Sequence, residues 1–143
     1  MLAGQFTHQV DYKGRVSVPK KFRIELATGG VVTRGLDGCL FLYGKKTWDT
    51  LSLKLSKLPL TGRDARAFNR FMFANACEVS FDRLGRIALP SYLLEFAKIV
   101  SDVTFVGVGD RVEIWSTPSW KAYQKVTEKE SAEVAEKLTG TGI

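Results

Sequence analysis

Polar and apolar positions along this chain change period again and again, the mark of short strands and helices in alternation. A weak alternation over residues 5–10 leads into Asp11-Tyr12-Lys13-Gly14-Arg15. In that run the Asp can accept from backbone N–H groups two residues on, and the Gly can supply a positive φ, so the chain turns and returns as a strand over 15–18. Pro19 suits the first turn of a helix because it has no N–H to leave unpaired. Residues 20–26 are expected to form that helix, ended by Thr28-Gly29-Gly30. Residues 31–33 and 39–43 read as strands around Gly35-Leu36-Asp37-Gly38, a hairpin signal. The period then becomes helical, with Trp48, Leu51, Leu55 and Leu58 at matching spacing. Thr61-Gly62-Arg63-Asp64 resembles a capping box with Asp in place of Glu. It is expected to open a second helix whose Ala65, Phe68, Phe71, Met72 and Cys77 share a face.

The same order of elements then recurs. Asp11-Tyr12-Lys13-Gly14-Arg15-Val16-Ser17-Val18-Pro19 reappears as Asp82-Arg83-Leu84-Gly85-Arg86-Ile87-Ala88-Leu89-Pro90, at an offset of 71 residues. A short apolar helix follows each copy, then two strands, the second pair around a Gly109-Asp110 turn. Asp37 aligns with Asp110, and Trp48 with Trp120. A repeat of this length means two copies of one supersecondary unit. Each unit alone has little to bury, so the expectation is an α+β fold in which residues 1–76 and 77–143 pack into one globular domain around a small barrel-like core. The segments 47–76 and 119–138 are expected as helices outside that core, covering sheet edges or making subunit contacts, with a frayed tail after them.

Composition adds a direction. Of 143 residues, 45% are hydrophobic and 25% charged, as in ordinary globular chains. No run of about 18 apolar residues suggests a membrane span, and Met1–Phe6 lacks the pattern of a signal peptide. Cys39 and Cys77 are too few for a disulfide framework or zinc site and read as reduced, small apolar residues. The location expected is cytoplasmic. The net charge of +6 is uneven: residues 1–76 hold 13 Lys and Arg against 5 Asp and Glu, and residues 77–143 hold 8 against 10. A basic half on a slightly acidic half points to a polyanion partner.

The candidate chemistry follows from these two facts. Arg15 and Arg86 each sit beside a tight glycine turn, where a guanidinium can donate two parallel bonds to guanine or bind phosphate. The competing reading is an Asp–Arg pair within each turn, Asp11 with Arg15 and Asp82 with Arg86, that only shapes it. Gly14 and Gly85 are turn residues on either reading. Lys13, Lys20, Lys21 and Arg23 form the densest basic patch, suited to phosphate contacts that set affinity rather than sequence. In the second copy Arg83 is basic, while Leu84 replaces Lys13 and no cation follows Pro90 at once. Arg63, Arg66 and Arg70 form a helical stripe that reads as a solvated face. His8 has no ligand cluster, so neither a metal nor another cofactor is expected. No nucleophile with a base and no phosphate-cradling loop stands out, which argues against an enzyme and a small-molecule substrate.

The doubled phrase Asp-x-x-Gly-Arg-φ-x-φ-Pro resembles that of the bacterial MraZ family. Gly4-Gln5-Phe6, Phe71-x-Phe73-x-Asn75-Ala76 and Val112-Glu113-Ile114-Trp115 agree with it, and the likeness covers residues 1–138. The resemblance implies an AbrB-type swapped-hairpin fold, with both half-barrels in one chain, and assembly into a ring-shaped homo-oligomer. It implies sequence-specific binding to closely spaced direct repeats of double-stranded DNA in the promoter of the division and cell-wall gene cluster, as a repressor associated with the nucleoid. The family's motif residues map onto Asp11, Arg15, Asp82 and Arg86, with Lys13 in the first turn; Leu84 stands where the family often has a polar residue. The alternative reading is a ring-forming adaptor whose surface is the helical insert 47–76 and whose DNA binding is incidental.

Overall fold

The computed structural model describes residues 1–143. In chain order the elements are β1 (Leu2–Gln9), β2 (Arg15–Ser17), α1 (Lys20–Leu26), β3 (Gly29–Arg34), β4 (Leu40–Tyr43), α2 (Lys45–Ser56), α3 (Arg63–Phe73), β5 (Cys77–Ser80), β6 (Arg86–Ala88), α4 (Ser91–Phe96), β7 (Asp102–Gly109), β8 (Val112–Ser116) and α5 (Thr117–Lys137). The class is α+β, with every strand pairing antiparallel.

Six strands form one sheet in the order β1-β7-β8-β4-β3-β5, and β2 pairs with β6 as a separate ribbon. The order reads the same when the halves are exchanged. β1 pairs with β7 of the second half, β5 pairs with β3 of the first, and β4 meets β8 at the centre. The two arms of the Asp11–Arg15 turn therefore belong to different sheets and do not zip into a hairpin of their own. Three-residue strands bury too little alone. Pairing β2 with β6 sets Val16 opposite Ile87, and both side chains are sealed in one core of 17 buried residues. The ladders leave β1 and β5 as edges, so the expected small barrel is not a continuous hydrogen-bonded ring. The ribbon lies against both edge strands, β2 near β1 and β6 near β5.

Helices α1 and α4 complete this core. Phe22 and Leu93 are fully buried, which contributes about 1.5–3 kcal/mol for each side chain. The apolar run of β4 is buried at every position. Its side chains alternate across the sheet, as in any strand. Leu40 and Leu42 join the main core, while Phe41 and Tyr43 join a second cluster on the far face, with Leu55 of α2, Met72 of α3 and Trp115 of β8. The insert helices thus build a second core and do not merely cover edges. Thr33 Oγ1 donates to Met72 O at 2.6 Å and ties α3 to the sheet.

Several local expectations change. Gly29 and Gly30 do not end a helix; they open β3, paired with Ser80 and Val79, and a Cβ on Gly30 would overlap the carbonyl of Tyr43. The capping box at Thr61 does not form: Gly62 takes the N-cap position with no side-chain bond. Asp64 still lies in the first turn of α3, where a negative charge suits the helix dipole. Cys77 is not on α3 but in β5, opposite Val32. Helix α5 begins at a true cap, with Ser116 Oγ accepting from the Ser119 N–H at 3.2 Å. Its first turns are anchored by Trp120, whose Nε1 donates to Gln5 Oε1 at 2.7 Å. No residue of α5 is fully buried, and from Gly140 on the chain is exposed. No helix is long and apolar enough to cross a membrane.

Candidate nucleic-acid interface

Each copy of the repeated phrase builds the same turn, and each residue of it has a physical task. Asp11 Oδ1 accepts from the backbone N–H of Lys13 and of Arg15, both at 2.9 Å, and Oδ2 accepts from Arg15 Nε at 2.9 Å. Asp82 accepts in the same way from Leu84 N and Arg86 N at 2.9 Å, and from Arg86 Nε at 2.8 Å. Gly14 and Gly85 take φ of +78° and +74°, a region costly for residues with a Cβ. The backbone donor of the motif arginine, followed by its side chain and the second amide, holds each Asp carboxyl below the usual carboxylate range against the opposing effect of desolvation. Both carboxylates are therefore fixed anions that orient arginines, not proton donors.

The two turns are not independent. In the β2–β6 ladder Arg15 faces Ala88 and Ser17 faces Arg86. Cross-strand partners and every second residue share a face. Arg15, Ser17, Arg86 and Ala88 thus line the outer face of the ribbon, opposite the buried Val16 and Ile87. Arg86 Nη1 also lies 3.8 Å from Asp11 Oδ2, so one chain of charges runs Arg15, Asp11, Arg86, Asp82. The side chains of Arg15 and Arg86 keep 33% and 26% of their surface open, and each spends its Nε on its Asp. The terminal nitrogens of Arg15 carry no protein hydrogen bond, which leaves them free for an external acceptor.

The halves also cap each other's turns. Val18 N donates to Gly85 O at 3.1 Å, and Leu89 N donates to Gly14 O at 2.8 Å. This corrects the placement of the basic patch. Lys20, Lys21 and Arg23 follow the first phrase in sequence, but the segment that carries them runs beside the second turn. Arg23 Nη1 makes a long contact to Gly85 O at 3.5 Å, and Lys21 Nζ donates to Ala3 O of β1 at 3.0 Å. The cations of the first turn are Lys13, 5.6 Å above the exposed Tyr12 ring, and Arg15. Lys13, Lys20, Lys21 and Arg83 are all exposed. The MraZ-type phrase sits in each half as the sequence predicts, and a family comparison agrees. The family model described as "MraZ protein, putative antitoxin-like" matches residues 1–71 and again 72–141. The chain belongs to the MraZ family. The protein named transcriptional regulator MraZ of Caldanaerobacter subterraneus subsp. tengcongensis is 51% identical over 143 residues, covering 100% of both chains. MraZ relatives of the same name from Thermoanaerobacter sp. (strain X514) and Caldicellulosiruptor saccharolyticus are 50% and 47% identical over the same full length.

The remaining candidates fall elsewhere in this MraZ chain. Arg63 and Arg70 are exposed on α3, while Arg66 Nη1 donates to Leu60 O at 3.1 Å and holds the preceding loop. His8 packs edge-on to Phe105 at 5.9 Å. Cys39 is fully buried, and that burial pushes its thiol far up, so it packs as an apolar residue. No group of three His, Cys, Asp or Glu side chains is placed to hold a metal ion.

Proposed function

We propose that this chain is a DNA-binding transcriptional regulator that recognises tandem direct repeats in the promoter of a division and cell-wall gene cluster, acting as a repressor by occluding polymerase. The observation that carries the reading is the outer face of the β2–β6 ribbon, where two motif arginines are pre-oriented by Asp11 and Asp82. A two-stranded ribbon fits the major groove of B-DNA, and an arginine with free terminal nitrogens is the commonest reader of guanine there. We assign Lys13, Lys20, Lys21 and Arg83 as phosphate contacts that set affinity and register. We read the interleaved strands as the AbrB-type swapped hairpin, with the halves 1–76 and 77–143 as its two arms.

The reading includes a ring of identical subunits. Its support in this chain is α5, about 31 Å long for its 21 residues. Trp120, Tyr123, Val134, Ala135 and Leu138 line one open surface of it. Rotation about a ring axis presents neighbouring ribbons in the same direction, which matches direct repeats. Several weak contacts joined in one ring bind by avidity. Duplexes carrying one repeat and two repeats test this. Two repeats should bind at least about tenfold tighter than one; equal affinity would remove the ring from the mechanism.

A further inference from the structure

Helix α1 of the first half delivers a cation to the turn of the second half. At the offset of the repeat, Arg23 corresponds to Leu94. Leu94 lies against the first turn, where its side chain is 3.5 Å from the position of a Cβ on Gly14. Arg23 lies against the second, where a Cβ on Gly85 would overlap the guanidinium itself. The open surface there is lined by Arg23, Phe81, Asp82, Arg83, Leu84 and Gly85. The second turn carries Arg83 where the first has Tyr12 and Leu84 where the first has Lys13, and it gains a further cation, Arg23, from a helix 62 residues earlier in the chain. Arg23 forms no ion pair with any carboxylate in the structure, and only its one Nη contact to Gly85 O is made within the protein. A guanidinium that is seated over a backbone turn on a part-buried side chain, and is unneutralised, is suited to a phosphate oxygen.

We propose that Arg23 is a phosphate-contacting residue of the second turn, adding a cation from the other half of the chain to the two, Arg83 and Arg86, that the turn's own sequence carries. The proposal rests on the DNA-binding reading above. It makes the two-turn ribbon, rather than the first turn with its sequence-adjacent lysines, the unit that grips the duplex.

The test is a salt titration of binding to a tandem-repeat duplex by fluorescence anisotropy, using the full chain. Wild type is read first: if it does not bind the duplex at any salt, the DNA-binding reading itself fails, and the proposal with it. Given binding, Arg23→Gln should lower the slope of log affinity against log salt by about 0.9, one phosphate contact. Between 50 and 200 mM salt the variant should then lose about 3.5-fold less affinity than wild type. Arg23→Lys, which keeps the charge, should retain the wild-type slope. A residue that only seats the turn would weaken binding in both variants with no change of slope, and an unchanged slope in Arg23→Gln overturns the proposal. Should Arg23→Gln fail to fold, Leu94→Arg sets a guanidinium over the first turn and should raise the slope by about 0.9; a wild-type slope in that variant counts against the proposal equally.

Discussion

The mutual capping of the two halves makes a sharp prediction at two glycines. Gly14 and Gly109 both hold positive φ, +78° and +98°. A Cβ on Gly109 meets nothing within 4 Å, whereas a Cβ on Gly14 would lie 2.6 Å from the carbonyl oxygen of Leu89, a backbone atom of the other half. Alanine at Gly109 pays only for the left-handed conformation, about 1–2 kcal/mol, less about 0.4–1 kcal/mol regained by restricting the unfolded chain. The net expected loss is about 1 kcal/mol. Alanine at Gly14 carries the same term and must also push Leu89 away, which breaks the 2.8 Å bond from Leu89 N to Gly14 O and strains the β2–β6 ribbon. Overpacking of a tight site adds about 1–3 kcal/mol, for a total near 3 kcal/mol. Urea unfolding followed by tryptophan fluorescence, at one fixed protein concentration, measures both variants. Equal losses at the two sites would show that the halves do not close on each other at Gly14, and the interleaved packing would be wrong.

Four further outcomes are expected. Arg15→Ala should weaken binding to the repeat duplex by about 1–3 kcal/mol and relax preference at one base position; binding profiles over a set of single-base variants check this. Lys13→Ala should weaken all duplexes alike and lower the salt slope by about one, and a loss confined to one sequence would exclude a phosphate role. The carboxyls of Asp11 and Asp82 titrate lower in the folded protein than in the unfolded chain, so their contribution is present above the ordinary carboxylate pKa of about 3.9 and is lost as pH falls through the lower folded value. The stability gap between wild type and Asp82→Asn should therefore hold from neutral pH to about pH 5 and close below about pH 4; a gap unchanged at low pH would contradict the assignment. Removing residues 128–143 should reduce the assembled mass seen by light scattering while leaving the sheet signal in circular dichroism, since no residue of that segment is buried.

Much of this arrangement is legible in the sequence because its cause is local. The Asp-x-x-Gly-Arg turn satisfies its own backbone amides, so its residue types announce it, and its doubling announces the two halves. The helices at Trp48 and Phe68 follow from apolar spacing alone. What the sequence conceals is set by contacts between distant segments. Nothing local says that β2 pairs with β6 rather than with β1; that choice comes from burying Val16 against Ile87. The spacing of Cys77 with Met72 mimics a helix face, yet the pairing of β5 with β3 decides its place. Arg23 reads as a neighbour of Lys20 and Lys21 in a basic run, and only the crossing of the halves carries it to Gly85. The sequence signal that could have found it was present in the repeat itself, where Arg23 and Leu94 occupy equivalent positions and differ in charge.

The measurement that bears most directly on the account is fluorescence anisotropy with a duplex carrying the tandem repeats upstream of the protein's own gene, set against a scrambled duplex of equal length at low and near-physiological salt. Preference for the repeats that survives added salt is the result predicted, since the ribbon arginines read bases and only the flanking cations are screened. Equal binding to both duplexes that disappears with salt would contradict it, and would leave a basic surface on a protein whose partners are other proteins.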